Sequence, residues 1–153
     1  MDWITFLAFF AACCAAASTG AMFPPGPWYD ELKRPGFTPP NWLFPVAWSV
    51  LYLAIAYAAS RVANLPGAGV ALGLWATQIA LNAVWSPVYF GLRRMKAALI
   101  IIGFLWLAVA GTIAAFWALD PVAGMILIPY LIWVSFAGFL NLTFMRLNPD
   151  YAT

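Results

Sequence analysis

Phe44, Trp48 and Tyr52 recur at intervals of four residues, as do Gln78, Asn82 and Ser86, and as do Trp133, Ala137 and Asn141. On helices, that spacing lines each set along one face. Rings on two faces and amides on two suit the walls of a binding chamber that is aromatic and offers few hydrogen-bonding groups. The groups for ordinary acid–base or metal chemistry are missing from the pattern. The chain has no histidine, and its five carboxylates (Asp2, Asp30, Glu31, Asp120, Asp150) stand outside the apolar stretches or at their ends. A His-ligated metal or haem, a His general base and an intramembrane proton relay are therefore disfavoured. No residue is assigned a catalytic or metal-binding role, and no cofactor is obligatory.

The elements that position these faces follow from composition. Of 153 residues, 65% are hydrophobic and 8% charged, far from the balance of a soluble domain. Five apolar stretches, at about 3–23, 43–62, 68–90, 97–119 and 122–146, are each long enough to cross a bilayer. The fold class expected is an all-α integral membrane protein, one bundle of five transmembrane helices forming a single domain over 1–153. The first stretch lacks a basic flank and exceeds a signal-peptide core in length, so it reads as a mature helix. Cys13 and Cys14, adjacent within it, read as small core residues. Short connections predict that consecutive helices lie antiparallel and side by side.

One connection is long. Residues 24–42 hold six of the twelve prolines, which fix φ and favour an ordered loop folded back on the bundle as a lid. Amides inside a membrane helix face the bundle rather than lipid, so Gln78, Asn82 and Asn141 mark inward faces. With a rise of about 1.5 Å per residue, Trp48 lies roughly 8 Å inside the second helix and Asn82 and Asn141 at comparable depth on the same side. The three faces thus converge beneath the loop as one aromatic chamber.

Lys33, Arg34, Arg93, Arg94, Lys96 and Arg146 fall on one side of a five-span topology, and only Arg61 on the other. The positive-inside rule places the long loop and the C-terminus in the cytoplasm and the N-terminus outside. The inner membrane is the expected location, with the outer membrane as the alternative. Cations this dispersed form no patch for a phosphate backbone, so nucleic acid is not an expected partner. Gly69, Gly73, Ala76 and Ala80 on the third span make two small-xxx-small pairs, a face for a homodimer or for a neighbour within the chain.

Longer motifs then stand out. Trp28-Tyr29, Leu32-Lys33-Arg34-Pro35-Gly36-Phe37-Thr38-Pro39-Pro40-Asn41-Trp42 and Pro45-Val46-Ala47-Trp48 resemble the loop signature of the TspO/MBR family of tryptophan-rich sensory and translocator proteins. Gln78 to Pro87 with Phe90-Gly91, and Pro129-Tyr130-Leu131-Ile132-Trp133 leading to Leu140-Asn141, resemble its helix motifs. The resemblance covers nearly the whole chain. It implies a five-helix membrane protein, commonly a homodimer, that binds porphyrins such as protoporphyrin IX, haem and, in some members, sterols or other lipophilic molecules. By matching positions, the ligand site comprises Trp28, Phe44, Trp48, Tyr52, Asn82, Trp133, Ala137 and Leu140. Two departures show: Phe37 replaces the loop tryptophan before the proline pair, and Leu142 replaces the tyrosine of a sterol pattern that Arg146 completes.

The leading reading is a receptor or sensor for a tetrapyrrole, with Trp48 and Trp133 stacking on the macrocycle and Asn82 orienting a polar edge. Lys33 and Arg34 at the rim would meet propionates, and Phe37, Pro39 and Pro40 would belong to the lid. The alternatives are light-dependent porphyrin degradation assisted by a pocket tryptophan, and passive transport of porphyrin-like or sterol-like molecules. An ion-coupled carrier is disfavoured by the odd helix number and by the lack of an internal repeat or an ionisable group at mid-span.

Overall fold

The computed structural model describes residues 2–152. Its main helices are α1 (Trp3–Met22), α2 (Pro27–Glu31), α3 (Leu43–Val62), α4 (Ala68–Ser86), α5 (Met95–Leu119), α6 (Pro121–Ile126) and α7 (Ile128–Leu147), with no strand among the described residues. Five spans result, because a π-helical turn carries α4 on to Gly91 and α6 with α7 makes one span of 27 residues. The chain is an all-α, multi-pass membrane protein.

Proline explains where the helices depart from the simple stretches. Pro87 has no N–H for the α ladder, and the backbone widens so that Leu92 donates to the Pro87 carbonyl at 2.9 Å. The expected continuous fifth helix is instead two segments. Pro129 in the first turn of α7 cannot continue a ladder begun in α6, and Leu127 between them bonds back to Gly124 in a tighter turn. Asp120 caps α6 by accepting from the Val122 N–H at 3.0 Å. The corner is tight because a Cβ at Gly124 would lie 2.9 Å from the Cβ of Trp117. The long loop is not featureless either, since Pro27 at a helix start nucleates α2.

Around the bundle the order is α1, α3, α6/α7, α5, α4 and back to α1. The expectation that all consecutive spans are neighbours therefore fails once: the backbones of α3 and α4, joined by a short turn, stay largely apart with α1 between them, and the two helices meet through long side chains. Cys13 and Ala16 make the fully buried face of α1, and such small side chains let two helices approach it together. Gly67, at φ +82, turns the chain between α3 and α4 in a conformation that a side chain would strain.

Candidate functional site

The site exists because α3 lies against α6 but its backbone stays apart from α7. Next to α6 the packing residues are small; Ala56, Ala58, Ala59, Ala123 and Gly124 are all buried. Toward the loop end they give way to rings. Trp48 meets Trp133 edge to face at 6.4 Å, Phe44 meets Trp133 at 5.9 Å and Trp48 meets Tyr130 at 6.1 Å. These rings hold the helices apart and leave space beneath the loop.

That space is two cavities rather than the single chamber expected. The larger, about 490 Å³, is lined by Trp48, Tyr52, Asn82 and Ser86 together with Ala16, Thr19 and Gly20 of α1. Its size falls within the usual range for ligand pockets. Ala17, Ala21, Pro45 and Ser49 also line it and are exposed, so it opens sideways between α1 and α3. The smaller, about 80 Å³, is lined by Phe44, Ala137, Leu140 and Asn141 with Tyr29, Trp85 and Tyr89. Pro25 and Asn41 line both.

The polar groups at this depth are largely paired with one another. Tyr130 donates to the Gln78 Oε1 at 2.7 Å and accepts from the Asn82 Nδ2 at 2.9 Å, and Tyr52 donates to the Asn82 Oδ1 at 3.3 Å. Asn141 sits against the first turn of α5; with its nitrogen toward the Met95 carbonyl it makes contacts of 3.2 Å there and 3.3 Å to the Leu99 N–H. Among the described residues two buried donors have no acceptor, the indole Nε1 of Trp85 and that of Trp133.

The loop covering the site is held down from the C-terminus. The Asn148 amide pairs with the main chain of Lys33, accepting from its N–H at 2.8 Å and donating to its carbonyl at 3.0 Å. Tyr29 is buried against Phe144 and Phe90, with ring centroids 5.3 and 5.4 Å away. Burial pushes the Tyr29 phenol up, opposed by the Arg34 guanidinium, which lies 4.8 Å over its ring.

Of the eight ligand-site residues expected from the sequence, Trp48, Tyr52 and Asn82 line the larger cavity and Phe44, Ala137 and Leu140 the smaller. Trp133 lines neither but joins the two through its contacts with Phe44 and Trp48. Trp28 is displaced from the chamber, packing on Tyr89 and Tyr151. At the rim, Arg34 is paired with Asp30 at 2.9 Å while Lys33 is exposed. Phe37 stacks at 5.3 Å on Phe139, an exposed ring of α7, and Pro39 and Pro40 line neither cavity. Gly69, Gly73, Ala76 and Ala80 are all exposed, with open space where a Cβ on either glycine would stand, so this face has no neighbour among the described residues.

Sequence reasoning missed Tyr130, Trp85, Tyr89, Asn41 and Asn148 as parts of the site. Tyr130 was findable, because a phenol in a membrane helix seeks a partner and stands three residues before Trp133 on the same face. Asn148 follows the last span and carries no periodic signal. Two further tryptophans have structural roles: Trp75 donates to the Ile55 carbonyl at 3.2 Å, and Trp106 to the Ser135 hydroxyl at 2.8 Å.

Residues 6–147 match the model of the TspO/MBR family. The chain is 51% identical over 148 residues to a tryptophan-rich sensory protein of Cereibacter sphaeroides, covering 97% of this chain and 94% of that one. It is 46% identical to protein CrtK of Rhodobacter capsulatus, over 97% and 96% of the two chains. It is also 34% identical to the human translocator protein, over 95% and 91%.

Proposed function

This chain belongs to the TspO/MBR family, and from that premise we propose that it is a membrane receptor for a flat, largely apolar tetrapyrrole such as protoporphyrin IX or haem, regulating tetrapyrrole handling or a stress response. The observation that carries the reading is the pair of neighbouring cavities walled by Phe44, Trp48, Tyr52, Trp85 and Tyr89 beneath the pinned loop. Aromatic faces grip a macrocycle by offset stacking and burial. In this reading the faces of the macrocycle provide the grip, since aromatic rings line both cavities. Lys33, exposed at the rim, is a cation placed to meet a propionate.

In this reading the loop end faces the cytoplasm, because six of the seven cations lie there, and the inner membrane is the location. Two copies pair through the exposed small-residue face of α4, where close backbone approach is open. Saturable quenching of intrinsic tryptophan fluorescence by protoporphyrin IX, at one ligand per chain in detergent, tests the receptor reading; its absence contradicts it. Gly73→Phe is expected to shift the detergent-solubilised dimer to monomer, and an unchanged mass contradicts pairing through α4.

A further inference from the structure

The polar side chains of the larger cavity divide by what they have already bonded. The Thr19 and Ser49 hydroxyls donate to the carbonyls of Ala16 and Pro45, each at 2.7 Å. Tyr52 donates to the Asn82 Oδ1, and one Asn82 N–H goes to Tyr130. The Asn41 amide and the Ser86 hydroxyl have no partner among the described residues, and neither is sealed as the Trp85 and Trp133 nitrogens are. Asn41 is exposed in the loop two residues before α3. Ser86 ends α4 and looks across to Gly20 of α1, where a Cβ would stand 3.7 Å from its Oγ. The side chain that Gly20 lacks therefore leaves the hydroxyl open to the cavity.

The unused donors form two levels. Asn41, with two N–H groups, and Ser86, with one O–H, stand at the loop end. The Trp48 indole N–H and the second Asn82 N–H lie deeper, Asn82 by one helical turn, roughly 6 Å from Ser86 along α4. The phenols of Tyr29 and Tyr89 line only the smaller cavity, whose volume of about 80 Å³ is too small for a macrocycle. No residue lining the larger cavity is charged. An ionised carboxylate at the deeper level would lose its water with no cation to compensate. Beside exposed Asn41 it keeps water on one side and accepts charge-assisted hydrogen bonds, which are stronger than neutral ones. We propose that Asn41 and Ser86 are specificity-determining donors that hold a ligand carboxylate at the loop end of the larger cavity, so that a porphyrin lies with its carboxyl-free edge toward Trp48 and Asn82. This rests on the receptor reading above and adds the orientation of its ligand.

Mesoporphyrin IX and etioporphyrin III provide the test, since the second is the first with both carboxyl groups removed and the macrocycle and alkyl groups otherwise the same. Affinities are read from the porphyrin absorption band with the full chain in detergent at about pH 7, where carboxyls are ionised. Asn41→Asp sets a carboxylate where the amide donates. The ratio of mesoporphyrin to etioporphyrin affinity is expected to fall by about tenfold or more, the worth of two like charges at close range near a surface. In Ser86→Ala the ratio falls by about fivefold, as one hydrogen bond to a charged acceptor is lost. Taking the ratio of two ligands within each protein cancels general weakening of the pocket, and Asn41, exposed and unbonded, can be changed without unfolding the chain. A ratio equal to that of the wild type in either variant overturns the assignment and leaves the porphyrin site standing. Binding of neither compound by the wild type overturns the receptor reading and this inference with it.

Discussion

The Nδ2 of Asn82 donates to the hydroxyl of Tyr130 at 2.9 Å. The amide therefore faces the larger cavity with that donor already engaged, and its oxygen accepts from Tyr52. Asn82 holds α4 against α7 across the site as much as it presents a polar group to a ligand.

Tyr130→Phe should reveal that role. It leaves the buried amides of Gln78 and Asn82 without their shared partner, a cost of about 1–3 kcal/mol. The melting temperature in detergent should fall by several degrees. An unchanged melting temperature would show that the chain of hydrogen bonds from Gln78 to Tyr52 contributes nothing net.

Asn148→Ala should release the loop while leaving the bundle intact. The lost amide made both hydrogen bonds to the main chain of Lys33. Amide hydrogen exchange over residues 27–38 is expected to rise by about tenfold, as local opening loses roughly one net hydrogen bond or more. Exchange within α5 should stay as in the wild type, and equal protection of the loop in both proteins would count against the staple.

At the opposite end, Arg61 donates to Asp120 at 2.6 Å and ties α3 to the corner between α5 and α6. The hydrogen bond from Arg61 holds the Asp120 carboxyl below its ordinary value of 3.8. The folded chain thus binds this proton less tightly than the unfolded one. The stabilisation is complete above that ordinary value and is lost as pH falls through the depressed one. Asp120→Asn keeps a capping side chain but removes the charge. Its melting temperature should decline less than that of the wild type on acidification below about pH 4, and parallel declines would contradict the argument.

The larger cavity opens between α1 and α3, while the loop above it is pinned, so a ligand is expected to arrive from the lipid side. Ala17, exposed and lining that mouth, offers a narrow test. Ala17→Phe should slow porphyrin association by about tenfold, roughly the effect of one misplaced ring on a constrained passage. An association rate equal to that of the wild type, with loosening of the loop by Asn148→Ala raising it, would place the route through the loop instead.

Much of this architecture is legible in the chain because the bilayer imposes it. Apolar length gave the five spans, and the rule that amides face inward found Gln78, Asn82 and Asn141, all of them buried. What escaped depends on the company a residue keeps. Spacing could place Trp28 in the loop but not predict that Tyr89 and Tyr151 would claim its ring. Nor does any local signal show α1 between α3 and α4, because that follows from which small faces fit together in the whole bundle. The split of the chamber into two cavities has the same origin, since it depends on the distance between helices far apart in sequence.

The central claim is that the rings beneath the loop bind a porphyrin. Its most direct test is protoporphyrin IX affinity in the Trp48→Ala, Trp133→Ala double variant, read from the porphyrin absorption band so that losing two tryptophans does not alter the signal. Removing the Trp48 ring that walls the larger cavity together with the Trp133 ring packed behind Phe44 and Trp48 should weaken binding by about a hundredfold or more, at roughly 1–3 kcal/mol for each lost ring. Affinity equal to that of the wild type in a folded double variant would contradict the account.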